Sequence, residues 1–488
     1  MKLRKIDCIK ISFVFLFLLL LMPSLVLGYS IGAQTNFYTE KGLTEDNKEN
    51  VTATLISSPD KLHFYIETSF WNSKDDNTKK EIKDSLDALS KEFNEVIYPQ
   101  LTSSFGKEAL RGPDRDERIT VVFHSLKDGA NGYIRNIDAY EKAMNPFSNA
   151  RKLIYLNTDL ISGDWLKETL AHELVHLITL NKKDLEYGII EDKWLNEARA
   201  EYAVTLLGYN KEGGYIDKRI ASFIEKPYTS LASWDNSSYD YGVINSFIHY
   251  LVDHYGIDIL IDSLNSSKKG IESINEALLK NGIKDNFSDI FINWSIAVYI
   301  NDCSAGEKYC FKDENFQGRT IIPFNNFLPL SGESTLYAGQ VLNNYSAHWQ
   351  RYVGGRGELK VSFSNPSGVV SKLPYIVKNI SGKNDVRFID ISGQEVELII
   401  SNFGKDVSSV IFIPVAINEN TNTNNNESYF YSITTHIASK EVQDNGNSID
   451  IELPFTLDKP LNQMNREELL MVIIRTIIYL LVQGKLVI

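Results

Sequence analysis

The sequence predicts an α+β protein that begins with a mixed sheet and helices, continues as an all-β sandwich and ends in an apolar helix. Apolar residues recur at helical spacing in residues 78–98 and 164–180. Beyond about residue 316, short β-rich runs alternate with turn residues, which is typical of a sandwich. A capping-box sequence precedes the last apolar run, residues 469–482. The 488 residues allow two or three domains, and an apolar fraction of 43 % indicates a folded chain.

Residues 1–28 have the three parts of a secretory signal peptide. The start is positively charged, residues 11–22 are apolar, and Gly28 ends a stretch suited to cleavage. An uncleaved membrane anchor is the alternative, but this apolar core is short for a span. We therefore expect a secreted or cell-surface protein.

The predicted first domain, residues 29–315, carries the candidate chemistry. Apolar, β-rich runs predict strands at 62–66, 118–123 and 152–156. The helix predicted at 78–98 lies between the first two of them. Because the last strand comes just before the apolar helix at 164–180, we expect a sheet to pack against that helix.

A turn is predicted directly before the second of these strands, at Gly112-Pro113-Asp114-Arg115-Asp116. The alternating aspartates are also compatible with a Ca²⁺ ion, but the ligands that a calcium loop has at its later positions are missing. We therefore interpret the segment as a turn and keep calcium as the alternative.

The helix at 164–180 contains His172-Glu173-Leu174-Val175-His176. Two histidines at i and i+4 project from the same face of a helix. That spacing allows two imidazoles to bind one Zn²⁺, and Glu173 can then act as general base on a water molecule. A buried helix with two hydrogen-bonded histidines is the alternative interpretation.

A catalytic zinc site needs a third protein ligand, and Glu197 is the candidate. It follows His176 after 20 intervening residues, on a second predicted helix that runs from Trp194 to about Leu207. Glu201 is one turn further along, where it could accept a hydrogen bond from a ligand histidine. The sequence therefore predicts a zinc site built on two helices.

These motifs resemble the gluzincin zinc metallopeptidases, the clan of thermolysin. The segments WLNEARAEY, YDYGVINSFIHYL and IFINWSIAVYIND are most similar to the hyicolysin-type neutral metallopeptidases, over about residues 50–305. The resemblance implies a zincin-type catalytic domain, with His172, His176 and Glu197 as ligands and Glu173 as base. The family usually has glycine after the third ligand. This chain has Ala198 and then Arg199, an arginine that could change substrate access.

Two further features of the family are expected here. A tyrosine or histidine downstream of the third ligand stabilises the oxyanion, and Tyr239 and Tyr241 are the candidates, with His249 next. An edge strand pairs with extended substrate, and either residues 132–135 or residues 152–156 could supply it.

The cysteine content bears on the cellular compartment of the protein, and the net charge bears on the class of its partners. Cys303 and Cys310 remain after the predicted leader is removed, and we expect a disulfide between them in an exported protein, with two buried thiols as the alternative. The net charge of −13 argues against a nucleic-acid partner, because nucleic-acid binding requires a basic face.

The second half is predicted to contain no catalytic constellation. Residues 316–440 form the expected β-sandwich, 441–463 a linker and 464–488 the apolar helix. The helix is too short to span a bilayer. It is apolar on nearly every side, so we expect it to dock on the body, to attach the chain to a cell surface or to mediate self-association.

Together these features predict a secreted zinc-dependent endopeptidase that acts on protein or peptide substrates. No Gly-x-Met-Glu-Asn segment of the kind that aminopeptidases of this clan use is present. Two alternatives stay open: a zinc hydrolase that acts on a non-peptide acyl bond, and a cell-surface or matrix-binding protein with a vestigial zinc site.

Overall fold

The structure is a computed structural model that describes residues 30–439, except 164, 212, 392 and 420–426, together with Val472. Apart from Val472, the predicted signal peptide, linker and C-terminal helix lie outside the described residues. None of the helices within the described ranges is long and apolar enough to cross a membrane.

The described chain begins with a six-stranded mixed sheet. Its strands are β1 (Gln34–Tyr38), β2 (Asn50–Ser57), β3 (Leu62–Glu67), β4 (Ile119–His124), β5 (Gly132–Tyr133) and β6 (Leu153–Asn157). They lie in the order β1-β2-β3-β4-β6-β5. β3, β4 and β6 are parallel, and the other neighbours are antiparallel. Strands β4 and β6 are buried along their whole length, as expected for parallel strands with both faces covered. The three strands predicted here are therefore confirmed.

Three helices separate β3 from β4: α1 (Thr68–Ser73), α2 (Asp76–Glu92) and α3 (Tyr98–Phe105). A π-helical turn, Phe93–Ile97, joins α2 to α3. The side chain of Asp75 caps α2 by accepting a hydrogen bond from the Thr78 amide. The helix predicted at 78–98 is confirmed, and its periodic apolar residues are buried: Ile82, Leu86, Leu89, Phe93 and Ile97.

Between β6 and residue 316 the described residues form seven more α-helices: α4 (Leu166–Thr179), α5 (Lys193–Leu206), α6 (Tyr215–Glu225), α7 (Ser238–Tyr255), α8 (Asp258–Leu264), α9 (Gly270–Lys280) and α10 (Phe287–Ile300). Gly208 and Gly256 lie just beyond α5 and α7 with φ of +72° and +87°, the conformation in which glycine ends a helix. Apolar residues of the sheet and these helices form one continuous core.

The second half is β-sandwich-like. Its strands are β7 (Phe324–Leu328), β8 (Gly332–Asn343), β9 (Ser346–Ala347), β10 (Gln350–Gly354), β11 (Gly357–Ser364), β12 (Lys372–Asn379), β13 (Asn384–Asp390), β14 (Glu395–Phe403), β15 (Val407–Phe412), β16 (Val415–Ala416) and β17 (Ser428–Ser439). The β-rich runs that predicted a sandwich lie in β11, β13, β14, β15 and β17.

The long strands of this region form two layers. One has the order β13-β12-β15-β10-β7, the other has the order β14-β11-β17-β8, and one parallel pair, Phe403 with Val407, joins them. Tyr352 and Phe412 from the first layer and Phe363 from the second belong to a separate apolar core between them.

The layer β13-β12-β15-β10-β7 also packs against the helices. Ile376 and Ile411 pair across β12 and β15, and both belong to the core of the helical half. The indole N–H of Trp349 donates to the carbonyl oxygen of Ser295 in α10 at 2.7 Å. The described residues up to Ser439 therefore form one compact unit, across the boundary expected at residue 316.

Candidate metal centre

Helix α4 presents His172, Glu173 and His176 on one side. The chain leaves β6 at Asn157, makes one 3₁₀ turn and enters α4, so the helix lies directly after the sheet. Nearly all of α4 is buried, including the three side chains of the motif. Their potential ligand atoms lie within 4.8 Å of one another.

Helix α5 brings Glu197 to the two histidines. The Nε2 atoms of His172 and His176 are 3.1 Å apart. Oε2 of Glu197 lies 3.3 Å from the first of these atoms and 3.5 Å from the second. Ligands at the usual zinc distances on a tetrahedral ion are separated by about 3.4 Å. The three donor atoms therefore have the spacing and the chemistry that fit one Zn²⁺ ion.

The two carboxylate oxygens of Glu197 have different partners. Oε2 faces the histidines, whereas Oε1 lies 2.6 Å from Nζ of Lys193, one helical turn earlier. Burial raises the pKa of Glu197, but His176, His172 and Lys193 outweigh it and hold the pKa well below its ordinary value. Glu197 is therefore an anion, as a metal ligand must be.

Glu173 is buried beside the donor atoms. Burial raises the pKa of its carboxyl group to about 7; His176 opposes this rise and Glu197 adds to it. Its Oε2 atom has no hydrogen-bond partner among the described residues. A buried carboxylate with a free oxygen beside three candidate metal donors is placed to accept a proton from a water molecule.

The edge of the sheet passes close to Glu173. Strand β5 lies at one edge of the sheet and pairs antiparallel with β6, so residues 132–133 have no strand neighbour on their outer side among the described residues, while residues 153–157 are interior. A Cβ atom on Gly132 would lie 3.1 Å from Oε1 of Glu173 and 3.0 Å from the carbonyl oxygen of Tyr155. Glycine allows this close approach of the strand to the carboxylate.

Glu201 is close to His172 but outside hydrogen-bond distance. Its Oε1 atom is 3.7 Å from Nδ1 of His172, which has no hydrogen-bond partner among the described residues. The carboxylate instead accepts from Arg219, from Asn245 and from the hydroxyl group of Tyr215. Glu201 is thus held by three partners, with one carboxylate oxygen facing the outer nitrogen of His172.

Asn196 supplies the contact that sequence reasoning missed. Its Oδ1 atom lies 3.1 Å from Nδ1 of His176, where it accepts the ring N–H and leaves Nε2 free to bind a metal. The sequence offered one indication of this contact: Asn196 directly precedes Glu197, and a helix places neighbouring residues on adjoining faces.

The structure separates the two candidate tyrosines. The hydroxyl group of Tyr239 donates to Glu225 at 2.9 Å on the protein surface, and no contact with His172, His176 or Glu197 is seen among the described residues. Tyr241 is near the site: burial raises its pKa, and Glu197 and Glu201 raise it further. Its ring packs edge-on against Trp234, and no described residue forms a hydrogen bond with its hydroxyl group.

His249 is engaged elsewhere. One ring nitrogen lies 2.8 Å from the hydroxyl group of Thr205, and the other lies 2.7 Å from the carbonyl oxygen of Asn245. The imidazole therefore links α5 to α7.

Arg199 faces the interior. Contrary to the expectation from the sequence, it is therefore not placed to change substrate access. Its guanidinium group is fully buried and donates to Glu191 at 2.7 Å and to Ser263 at 2.8 Å. Lys183, after α4, lies 3.7 Å from the same Glu191 carboxylate oxygen. This network connects the two helices that carry the candidate ligands.

The calcium interpretation of residues 112–116 finds no support in the geometry. Asp116 accepts from Arg118 and lies 3.1 Å from His63, and Asp114 lies 3.8 Å from Arg151. Cationic side chains thus neutralise both carboxylates. Further along the chain, Cys303 and Cys310 form a disulfide.

Comparison with known proteins gives no family assignment. No family model matches the chain, and no curated protein matches it. Some solved structures match about a quarter of the chain. The pre-peptidase C-terminal domain of a Bacillus anthracis collagenase is 9 % identical, over 24 % of this chain and 99 % of that one, with a TM-score of 0.18. A periplasmic inhibitor of g-type lysozyme from Salmonella Typhimurium is 17 % identical over 24 % and 99 %, with a TM-score of 0.16. At these TM-scores the likenesses carry no inference.

Proposed function

We propose that this chain is a secreted zinc-dependent endopeptidase with a zincin-type catalytic domain of the gluzincin kind. One observation carries the proposal: two imidazole nitrogens and one carboxylate oxygen lie 3.1–3.5 Å apart, with a second, buried carboxylate beside them. This is the donor set of a catalytic zinc site together with its general base. Export is a separate expectation that rests on residues 1–28.

The ligand residues would hold the ion, and Glu173 would move the proton. His172, His176 and Glu197 supply three donors, and a zinc ion bound there would polarise the substrate carbonyl and lower the pKa of water. Glu173 takes a proton from the attacking water and returns it to the leaving amine. Its burial supports both roles, because a carboxyl group with a pKa near 7 can accept and release a proton at neutral pH.

Substrate would lie along strand β5. An extended peptide can add to an exposed sheet edge through backbone hydrogen bonds, and Gly132–Tyr133 is the edge beside Glu173. Tyr241 is the group best placed to donate to the oxyanion, since its hydroxyl group is free of described partners and it lies near Glu197.

The test measures bound metal and casein cleavage with the purified wild-type chain and with Glu173→Gln. We expect one zinc per chain in both proteins and cleavage only by the wild type, with activity lost to a chelator. The substitution keeps the size of the side chain but removes its ability to accept a proton, so cleavage should fall about 10²–10⁴-fold.

Other outcomes separate the alternatives. Zinc in both proteins with no cleavage of casein, but with chelator-sensitive hydrolysis of ester or amide substrates, would indicate a non-peptide acyl hydrolase. Absence of zinc from both proteins would contradict the catalytic proposal and would favour a binding protein.

A further inference from the structure

We infer that Lys193 is a positioning residue that engages one oxygen of Glu197 and thereby makes Glu197 a one-oxygen ligand of the metal. The inference rests on the proposed function, because it concerns the same site. It adds a residue that neither the motif nor the resemblance assigns, and it states what that residue does.

The geometry around Glu197 divides its carboxylate between two tasks. Oε2 lies 3.3 and 3.5 Å from the two Nε2 atoms, and Oε1 lies 2.6 Å from Nζ of Lys193. No other described residue is a partner of Oε1. The lysine is therefore what keeps the second oxygen turned away from the donor triangle.

Burial makes this pair different from an ordinary surface ion pair. The Glu197 side chain is 3 % exposed, while that of Lys193 is 54 % exposed, so the ammonium group reaches from the surface to a buried carboxylate. A buried acceptor without a partner is costly, and the nearest substitute partner for Oε1 would be the cation at the site. Without Lys193 the carboxylate would turn and bind with both oxygens.

The number of oxygens that Glu197 supplies determines whether the site can work. A catalytic zinc site has three protein ligands and one position for water or substrate. A carboxylate that binds with two oxygens would crowd that position, which the substrate carbonyl also needs. Lys193 thus protects the open position without contacting substrate.

The experiment compares four proteins loaded with Co²⁺, whose visible absorption weakens as coordination rises from four to five. They are the wild type, Lys193→Met, Lys193→Arg and the control Lys268→Met. Lys268 forms a pair of the same i,i+4 spacing with Glu272 at 3.5 Å, and both side chains are exposed. Apparent zinc affinity, measured by chelator competition, and kcat and KM on a peptide substrate complete the set.

We expect Lys193→Met to lose Co²⁺ absorption intensity and about tenfold in kcat, with KM nearly unchanged. Lys193→Arg should retain the spectrum and most of kcat, because a guanidinium group can also form an ion pair with Oε1. Lys268→Met should match the wild type in every measurement.

An unchanged Co²⁺ spectrum in Lys193→Met would overturn the inference even if kcat fell, because Lys193 would then act only through its charge near Glu173. In that case metal binding and cleavage by the wild type would leave the proposed function standing. Failure of the wild type to bind Co²⁺ or Zn²⁺ would overturn both.

Discussion

The region around α4 and α5 buries charged side chains, whereas the β-sandwich-like region buries none among its described residues. The buried charged side chains of α4, α5 and the segment between them are those of Glu168, Glu173, Lys183, Glu191, Asp192, Glu197, Arg199 and Glu201. From residue 324 to residue 439, the described buried polar residues carry only amide, hydroxyl or imidazole groups, as in Asn344, His348 and Ser409.

This difference indicates that the region around α4 and α5 gives up some stability to hold charged side chains in place. Removing an ion from water costs several kcal/mol unless partners compensate, so burying several ions in one place requires a network that satisfies them. The β-sandwich-like region gains its stability from apolar burial instead. We therefore expect substitutions in the first region to affect metal binding, catalysis and stability together, and substitutions in the second to affect stability alone.

The largest effect on stability is expected for Arg199→Met. The substitution leaves the buried carboxylate of Glu191 without its guanidinium partner, which should lower the free energy of unfolding by about 3–5 kcal/mol. Denaturant unfolding of the metal-free chain measures the loss.

The matched control for Arg199 is Arg387→Met in β13. Arg387 and Asp385 also lie 2.7 Å apart, but both side chains are about half exposed. The expected loss is about 0–1 kcal/mol. Equal losses in the two variants would remove the contrast between the two regions.

The next effect concerns catalysis and distinguishes the two tyrosines. Tyr241→Phe removes the hydroxyl group that we propose as the oxyanion donor, and it should lower kcat about 10²–10³-fold, the effect of losing one such donor. Tyr239→Phe should leave kcat unchanged, because that hydroxyl group is bonded to Glu225. Steady-state kinetics of both variants decide the assignment. A loss in the Tyr239 variant alone would reverse it.

Sequence reasoning went furthest where one pattern determines one element. The periodic residues Ile82, Leu86 and Leu89 located α2, and the i,i+4 spacing of His172 and His176 placed both rings on one face of α4. The distance along the chain to a glutamate on the next helix then indicated the third donor. These features depend on local helix geometry, which can be read from the spacing of residues along the sequence.

The remaining features depend on contacts between distant segments or on the direction of a side chain. Arg199 is buried because Glu191 and Ser263 turn toward it, and no local pattern shows this. Tyr239 and Tyr241 are two residues apart on a helix, so they point about 200° away from each other and only one could face the site. The i,i+4 spacing of Lys193 and Glu197 can be read from the sequence. That the pair matters for the site follows only from the burial of the Glu197 carboxylate, which the sequence does not show.

A smaller effect is expected for Asn196→Ala. Asn196 accepts the Nδ1 proton of His176, and losing such a support typically costs about 10–100-fold in metal affinity. In the β-sandwich-like region, His348 lies 3.0 Å from the hydroxyl group of Tyr431, and both side chains are buried. Tyr431→Phe should lower the unfolding free energy by about 0.5–1.5 kcal/mol and leave metal affinity unchanged. Chelator competition and denaturant unfolding test both variants.

The smallest expected effect uses one chemical change in both regions. Ile178 in α4 and Ile433 in β17 are almost completely buried, and replacing either with valine removes one methyl group, at a cost of about 0.5–1.5 kcal/mol. The two variants should therefore unfold with similar losses. Only Ile178→Val should lower kcat, because the cavity lies against the helix that carries His176, and catalysis depends on donor positions to a fraction of an ångström. If Ile433→Val lowered kcat equally, the two layers of strands would also hold the ligand helices in register, through contacts such as that of Trp349 with Ser295.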